Sequence, residues 1–139
     1  MSVIVDTSVW SLALRRRMPP NSSSAVTLLR DLITDDQVVL LGAIRQEILS
    51  GVRSSEQFTR LRDYLRAFPD LDLVPEDYEL AAEFFNTCRN NGIQGSNTDF
   101  LICAVAHRRS YSILTTDKDF QSFQAHIPVF LSSLNRRPI

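Results

Sequence analysis

The sequence predicts an α/β domain built around a parallel β-sheet. Short apolar segments alternate with longer stretches in which apolar residues recur at helical spacing, an order typical of strands joined by covering helices. Most of the short segments are continuously apolar, as strands buried on both faces tend to be. A chain of 139 residues can bury one hydrophobic core without disulfides, so we expect residues 1–139 to form a single domain.

Four segments are predicted to be strands, and a fifth is weaker. They are 3–5, 38–41, 71–74 and 112–115, with 129–131 as the weaker one. Ligands of open parallel sheets bind outside the C-terminal ends of the strands, so the residues that follow these segments are the candidates for chemistry.

Helices are predicted in the intervening stretches. One begins after the first strand, with Asp6 placed to cap it, and another follows the second strand. Four more are predicted from apolar spacing and from start signals such as Pro75: 24–34, 56–68, 76–91 and 97–109.

Composition narrows the class of protein. The 15 basic and 16 acidic side chains leave a formal charge of −1, which argues against indiscriminate nucleic-acid binding but does not show how the charges are distributed. Cys88 and Cys103 have no zinc-type spacing and are expected to be reduced thiols of a cytoplasmic protein. No apolar run approaches the length of a membrane span, and no signal peptide is visible, so we expect no membrane association.

Acidic residues follow the first and fourth predicted strands. Asp6 comes directly after Val5, and Asp117 and Asp119 follow the segment 112–115. Each of these acids, taken singly, fits a turn or a helix cap.

Two further acids lie on predicted helices. Glu47 is on the same helical stripe as Ile44 and Ile48, so we expect it to face inward, where a carboxylate usually has a cation, a metal or a shifted pKa. Asp99 completes a capping box with Ser96, and it could also face across the sheet edge toward Asp6.

Together these acids indicate a metal site. Two like charges about 4 Å apart repel by about 4 kcal/mol at an effective dielectric of 20, so a converging set requires a divalent cation. Oxygen ligands of this kind suit Mg²⁺ or Mn²⁺. One or two such ions can activate water toward a phosphodiester, so the residues predict metal-dependent hydrolysis of a nucleic-acid backbone.

The chain resembles the PIN-domain ribonucleases, and among them the VapC-type toxins of type II toxin–antitoxin pairs. The resemblance covers essentially the whole chain and rests on four motifs in order: Val-Asp-Thr-Ser-Val-Trp at 5–10, the helical glutamate within 44–51, Asn-Thr-Asp-Phe-Leu-Ile-Cys-Ala at 97–104, and Leu-Thr-Thr-Asp-Lys-Asp-Phe at 114–120.

The resemblance implies a three-layer α/β/α domain with a central parallel sheet of about five strands. It implies a homodimer, an RNA substrate that is often transfer RNA, and a VapB-type antitoxin that inhibits the toxin. The residues that it assigns to the site are a catalytic quartet that holds Mg²⁺ or Mn²⁺, namely Asp6, Glu47, Asp99 and Asp117, a further metal ligand at Asp119, and supporting hydroxyls at Thr7, Ser8 and Thr116.

Two arginine clusters are candidates for phosphate contacts. Arg15, Arg16 and Arg17 follow the first helix, and Arg108 and Arg109 end the helix 97–109. Favourable placement at helix C-termini explains each cluster equally well.

Other functions remain open from the residues. A PIN-domain ribonuclease of RNA processing and a non-catalytic PIN-like binding module both fit the motifs.

Two other classes do not fit the positions of the acids. A receiver domain requires an acidic pair after the first strand and an aspartate after the third, and Val74-Pro75 occupies the latter place. A phosphatase with an aspartyl nucleophile requires a second acid two residues after the first, where Ser8 stands.

Overall fold

The structure is a computed structural model that describes residues 2–14 and 24–133. In these ranges β1 (Val3–Val5), β2 (Val38–Val39) and β3 (Ser112–Leu114) form a parallel sheet in the order β2-β1-β3. The described ranges also contain seven helices: α1 (Thr7–Leu14), α2 (Ser24–Thr34), α3 (Gly42–Leu49), α4 (Ser55–Leu65), α5 (Pro75–Asn90), α6 (Asn97–Arg109) and α7 (Asp119–Gln124). The predicted α/β class with a central parallel sheet is confirmed.

The sheet has three strands within the described ranges, where about five were expected. Both missing strands are reduced to isolated parallel bridges, one between Leu40 and Asp70 and the other between Ile113 and Leu131. After Leu71 donates to the carbonyl of Leu40 at 2.9 Å, the chain runs directly into Pro75 at the start of α5. The segment 71–74 therefore leaves the sheet edge before a ladder can form.

β1 is the middle strand and its three residues are buried, which explains its unbroken apolar sequence. Its register pairs Val5 with Leu114 of β3. The next residues on the two strands, Asp6 and Thr115, consequently emerge side by side at the same edge of the sheet.

The predicted helices are present, with two differences. α4 ends at Leu65 rather than residue 68. There the Arg45 guanidinium donates to the carbonyl oxygens of Leu65 and Phe68, and so bonds carbonyl groups that the end of a helix leaves without a partner. α7 was not predicted, because its six residues are too few to show a period. Burial of Phe120 and Phe123 holds it on the core.

The core is centred on α6, whose residues from Phe100 to Ala106 are all buried. Apolar spacing in 97–109 places Leu101, Ala104 and Val105 on one side of the helix, whereas this part of α6 is covered all round, by α5 among other elements. Cys88 and Cys103 are buried free thiols, and burial raises the pKa of both. Within the described ranges, no helix combines the length and apolar character needed to cross a bilayer.

Candidate active site

An open pocket of about 550 Å³ lies at the C-terminal edge of the sheet. Four carboxylates from four separate segments line it, together with hydroxyl groups. These acids are Asp6 after β1, Glu47 on α3, Asp99 in the first turn of α6 and Asp117 after β3. The structure thus brings the predicted quartet to one cavity, and no arginine, lysine or histidine of the described residues lines it.

Asp6 is 5% exposed, and its carboxylate is oriented by two hydroxyl groups. Ser8 Oγ donates to Asp6 Oδ2 at 2.9 Å, and Thr115 Oγ1 donates to the same oxygen at 2.8 Å. Each hydroxyl in turn accepts a backbone N–H, Ser8 from Thr116 and Thr115 from Asp117. The first carboxylate is therefore tied to the chain that follows β3.

Glu47 does not face inward as predicted. Ile44 and Ile48 are buried on the stripe that the sequence indicated, but Glu47 is exposed at its margin. Thr7 Oγ1 donates to Glu47 Oε1 at 2.7 Å and holds the carboxylate over the pocket. The short helix α3 lies beside the open end of the sheet, so a residue at the edge of its apolar stripe reaches the rim of the cavity instead of the core.

Asp99 combines the two roles considered from sequence. Its Oδ2 accepts the N–H of Ser96 at 3.1 Å, and its own N–H donates to Ser96 Oγ at 3.0 Å, which completes the capping box. Partial burial raises the pKa of Asp99, and although the bonds from Ser96 lower it, the negative charges of Asp6 and Asp117 raise it further, with a net increase. Asp6 and Asp117 are therefore each close enough to Asp99 to repel its charge.

Asp117 and Asp119 are separated by the turn into α7. Asp117 lines the pocket, and its Oδ1 accepts the N–H of Asp119 at 2.9 Å. Asp119 is the exposed first residue of α7 and does not line the pocket. The structure therefore brings Asp117 to the other three acids and leaves Asp119 outside them.

The sequence predicts a supporting hydroxyl at Thr116, whereas the side chain that bonds to Asp6 is that of Thr115. The Thr116 backbone N–H bonds to Ser8, but its side chain is exposed and does not line the acidic pocket. The alternation of side chains along a strand could have identified Thr115, since it follows Leu114 as Asp6 follows Val5.

The donor set fits a hard divalent cation. No group of three or more His, Cys, Asp or Glu side chains in the described ranges is already spaced to hold an ion. The chemistry nevertheless matches Mg²⁺ or Mn²⁺: carboxylate and hydroxyl oxygens, no lining cation, and mutual repulsion that raises the pKa of Asp99. Mg²⁺ commonly binds through few carboxylates and completes its coordination with water, so a widely spaced set is compatible with it.

The two arginine clusters have different outcomes. Arg15, Arg16 and Arg17 lie outside the described residues. Arg108 and Arg109 end α6, about 14–15 Å along the helix from Asp99, and pair with the fully buried Asp77 of α5 at 2.5 and 3.0 Å. They join α5 to α6 and do not line the acidic pocket.

A parallel α/β domain with an acid-lined pocket at the C-terminal ends of its strands has the layout in which open α/β sheets bind their ligands. The model of the PIN domain family matches residues 3–125, and the chain belongs to this family. No curated protein matches the sequence significantly.

Solved structures share the fold at low sequence identity. FitAcB from Neisseria gonorrhoeae is 20% identical with a TM-score of 0.73, and covers 95% of this chain and 97% of its own. VapBC2 from Rickettsia felis, bound to a DNA fragment from its promoter, is 17% identical with a TM-score of 0.73, at 95% and 98% coverage. VapBC-5 from Mycobacterium tuberculosis, a member of the VapBC family of toxin–antitoxin systems, is 16% identical with a TM-score of 0.63, at 95% and 100% coverage.

Proposed function

We propose that the protein is a metal-dependent endoribonuclease whose active site is the acidic pocket. The observation that supports this most directly is the convergence of four carboxylates, from four segments far apart in sequence, on a cavity that no cation of the described residues lines. PIN domains typically belong to nucleases and generally bind divalent metals. The ion, Mg²⁺ or Mn²⁺, would be held by Asp6, Glu47, Asp99 and Asp117. Asp119, the further metal ligand that the resemblance implies, would bind from outside the pocket.

A bound divalent ion would activate water and stabilise charge on the phosphodiester. The chain's own residues position the groups around that chemistry. Ser8 and Thr115 fix Asp6 at the base of the pocket, while Thr7 holds Glu47 at the open rim, where an incoming strand would meet it. Asp99 presents its carboxylate from a helix turn held by the Ser96 capping box, and Asp117 accepts the N–H of Asp119. All four acids are therefore oriented by a hydrogen bond before an ion arrives.

We further propose that the nuclease is the toxin of a toxin–antitoxin pair. The structural neighbours come from VapBC and FitAB complexes and align over nearly the full length of both chains. That these neighbours are toxin–antitoxin complexes favours a VapB-type antitoxin as the partner. With it we propose a homodimer, an RNA substrate such as transfer RNA, and inhibition of translation and growth in the cytoplasm. Arg15, Arg16 and Arg17 are proposed phosphate contacts, and their joint replacement by glutamine should weaken RNA binding and its salt dependence.

Nuclease activity is tested with purified, antitoxin-free protein incubated with RNA and Mg²⁺ or Mn²⁺, with EDTA as the metal-free control. Asp6→Asn and Asp99→Asn should abolish cleavage. Asp31→Asn is the matched control, because Asp31 is an exposed acid on α2 that does not line the pocket. If the first two variants cleave as well as the parent, the assigned site is wrong.

The toxin assignment needs a separate test. Induced expression of the parent protein should arrest growth, expression of Asp99→Asn should not, and co-expression of the small protein encoded beside the gene should restore growth. Active ribonuclease that leaves growth unaffected would point to RNA processing instead.

A further inference from the structure

We propose that the groove beside the acidic pocket, along α7, binds the phosphate backbone of the RNA strand, with Lys118 as the residue that positions it. This inference rests on the proposed ribonuclease function and specifies the path of the substrate. It assigns a role to the only lysine in the chain.

The groove adjoins the acidic pocket through a shared wall. It has a volume of about 710 Å³ and is lined by Thr116, Asp117, Lys118, Gln121, Gln124 and Ser132, among others. Asp117 lines both cavities. A strand whose reactive phosphate lies in the acidic pocket would therefore pass Asp117 to reach the groove.

The charges around the two cavities favour this path for phosphate. A polynucleotide carries one negative charge per nucleotide, and the acidic pocket offers the phosphates flanking the reactive one no compensating side chain. Lys118 is the one cation among the described residues that line either cavity. It is exposed and forms no ion pair with another described residue, so its ammonium group is available to a ligand.

The polar face of α7 adds hydrogen-bonding groups beside this charge. Gln121 lies three residues after Lys118 and therefore on the same side of the helix, and both side chains line the groove. Gln124 is anchored by a bond from its Nε2 to the carbonyl oxygen of Val129 at 3.0 Å, which fixes the far wall. An amide and a flexible point charge suit phosphate and sugar oxygens in any base sequence.

A second cleft that adjoins the pocket has different chemistry. A cleft between α5 and α6 meets the acidic pocket at Thr98 and is lined mainly by Tyr78, Ala81, Ala82, Phe85 and Leu101. No cation of the described residues lines it. Its apolar walls do not suit a phosphate chain, so binding carried by this cleft is an alternative outcome of the experiment.

The test measures binding without cleavage. Short fluorescein-labelled single-stranded RNAs of two unrelated sequences are titrated with full-length protein in EDTA, at salt concentrations from 50 to 200 mM, and followed by anisotropy. The variants are Lys118→Met, Lys118→Arg, Tyr78→Ala and Arg30→Met. Arg30 is the charge control, because it is exposed on α2 and lines neither cavity.

Lys118→Met should weaken binding by a similar factor for both RNAs and reduce the slope of log affinity against log salt by about 0.7, the loss of one phosphate contact to a single strand. Lys118→Arg should restore the slope, and Arg30→Met should match the parent. The inference is overturned if the parent does not bind RNA, if Lys118→Met behaves like Arg30→Met, or if only Tyr78→Ala weakens binding. RNA that is bound with the Lys118 dependence but not cleaved would refute the ribonuclease proposal and leave the binding groove in place.

Discussion

Thr115 Oγ1 donates a 2.8 Å hydrogen bond to Asp6 Oδ2, across a separation of 109 residues. The two side chains meet because β1 and β3 are adjacent parallel strands in a register that pairs Val5 with Leu114. The same hydroxyl accepts the N–H of Asp117 at 3.0 Å. One threonine thus links two of the four acids that line the pocket.

Replacing this hydroxyl should weaken the binding of metal. In Thr115→Val the shape of the side chain is kept, but Asp6 loses one of its two orienting bonds and the Asp117 N–H loses its acceptor. Losses of this kind typically reduce metal affinity by about 10-fold to 100-fold. Calorimetric titration with Mn²⁺ measures the change. Thr116→Val is the matched control, since the Thr116 side chain is exposed and does not line the acidic pocket, and equal affinities of the two variants would contradict the prediction.

Glu47→Gln should separate activity from stability. Glu47 is exposed, so the substitution should change the free energy of unfolding by no more than about 0.5 kcal/mol. RNA cleavage should nevertheless fall sharply, because the amide removes a negative charge from the rim of the pocket. Cleavage assays and urea denaturation measure the two effects. Glu56→Gln, an exposed change on α4, should alter neither, and a fully active Glu47→Gln would remove Glu47 from the site.

Asp99→Asn should stabilise the metal-free protein at neutral pH. Burial and the charges of Asp6 and Asp117 raise the pKa of Asp99 above its ordinary value of 3.8. Between the ordinary pKa of the unfolded state and the raised pKa of the folded state, the folded protein binds more protons than the unfolded chain, so stability decreases as the pH rises through this window. Asparagine does not ionise, so Asp99→Asn does not lose stability in this way. Its melting temperature in EDTA should exceed that of the parent at pH 7 by a few degrees.

Two comparisons check the cause of that difference. The gap in melting temperature should close below about pH 4, where Asp99 is protonated in both states of the parent. Mn²⁺ should raise the melting temperature of the parent more than that of Asp99→Asn, because an ion that binds only the folded state stabilises it by mass action. A gap that is independent of pH would refute the electrostatic explanation.

Asp77→Asn should destabilise the fold without touching the acidic pocket. The fully buried carboxylate accepts hydrogen bonds from both Arg108 and Arg109. Removing its charge leaves the two partly buried guanidinium groups without a negative partner. The side chains of the arginines are 33% and 21% exposed, so water relieves part of this penalty, and we expect a loss of about 2–4 kcal/mol. Urea denaturation of Asp77→Asn beside Asp72→Asn, an exposed neighbour, measures it; similar stabilities would contradict the prediction.

The same cluster predicts a sensitivity to acid. Burial raises the pKa of Asp77, but hydrogen bonds from the Val74 N–H, Arg109 and Arg108 outweigh it and hold the pKa below the ordinary value of 3.8. A lowered pKa contributes stability that is complete above this ordinary value and is lost as the pH falls toward the lowered one. Below pH 4 the free energy of unfolding of the parent should therefore fall more steeply with decreasing pH than that of Asp77→Asn.

The sequence by itself determined the class of fold and the acids of the candidate site. Continuous apolar strands and helical spacing depend on neighbouring residues only, so β1, α2, α5 and α6 could be predicted closely. The acids could be proposed because parallel strands end at a common edge, which is a property of the class and not of this chain.

The tertiary structure decided how those acids are held and which basic residues accompany them. It moved Glu47 to the rim, replaced Thr116 by Thr115 as the partner of Asp6, and assigned Arg108 and Arg109 to Asp77. These relations join residues that lie 31 to 109 positions apart. Periodicity reports which face of an element is buried, but the register between strands and the exact end of a helix set which side chains meet, and both arise only when the core packs.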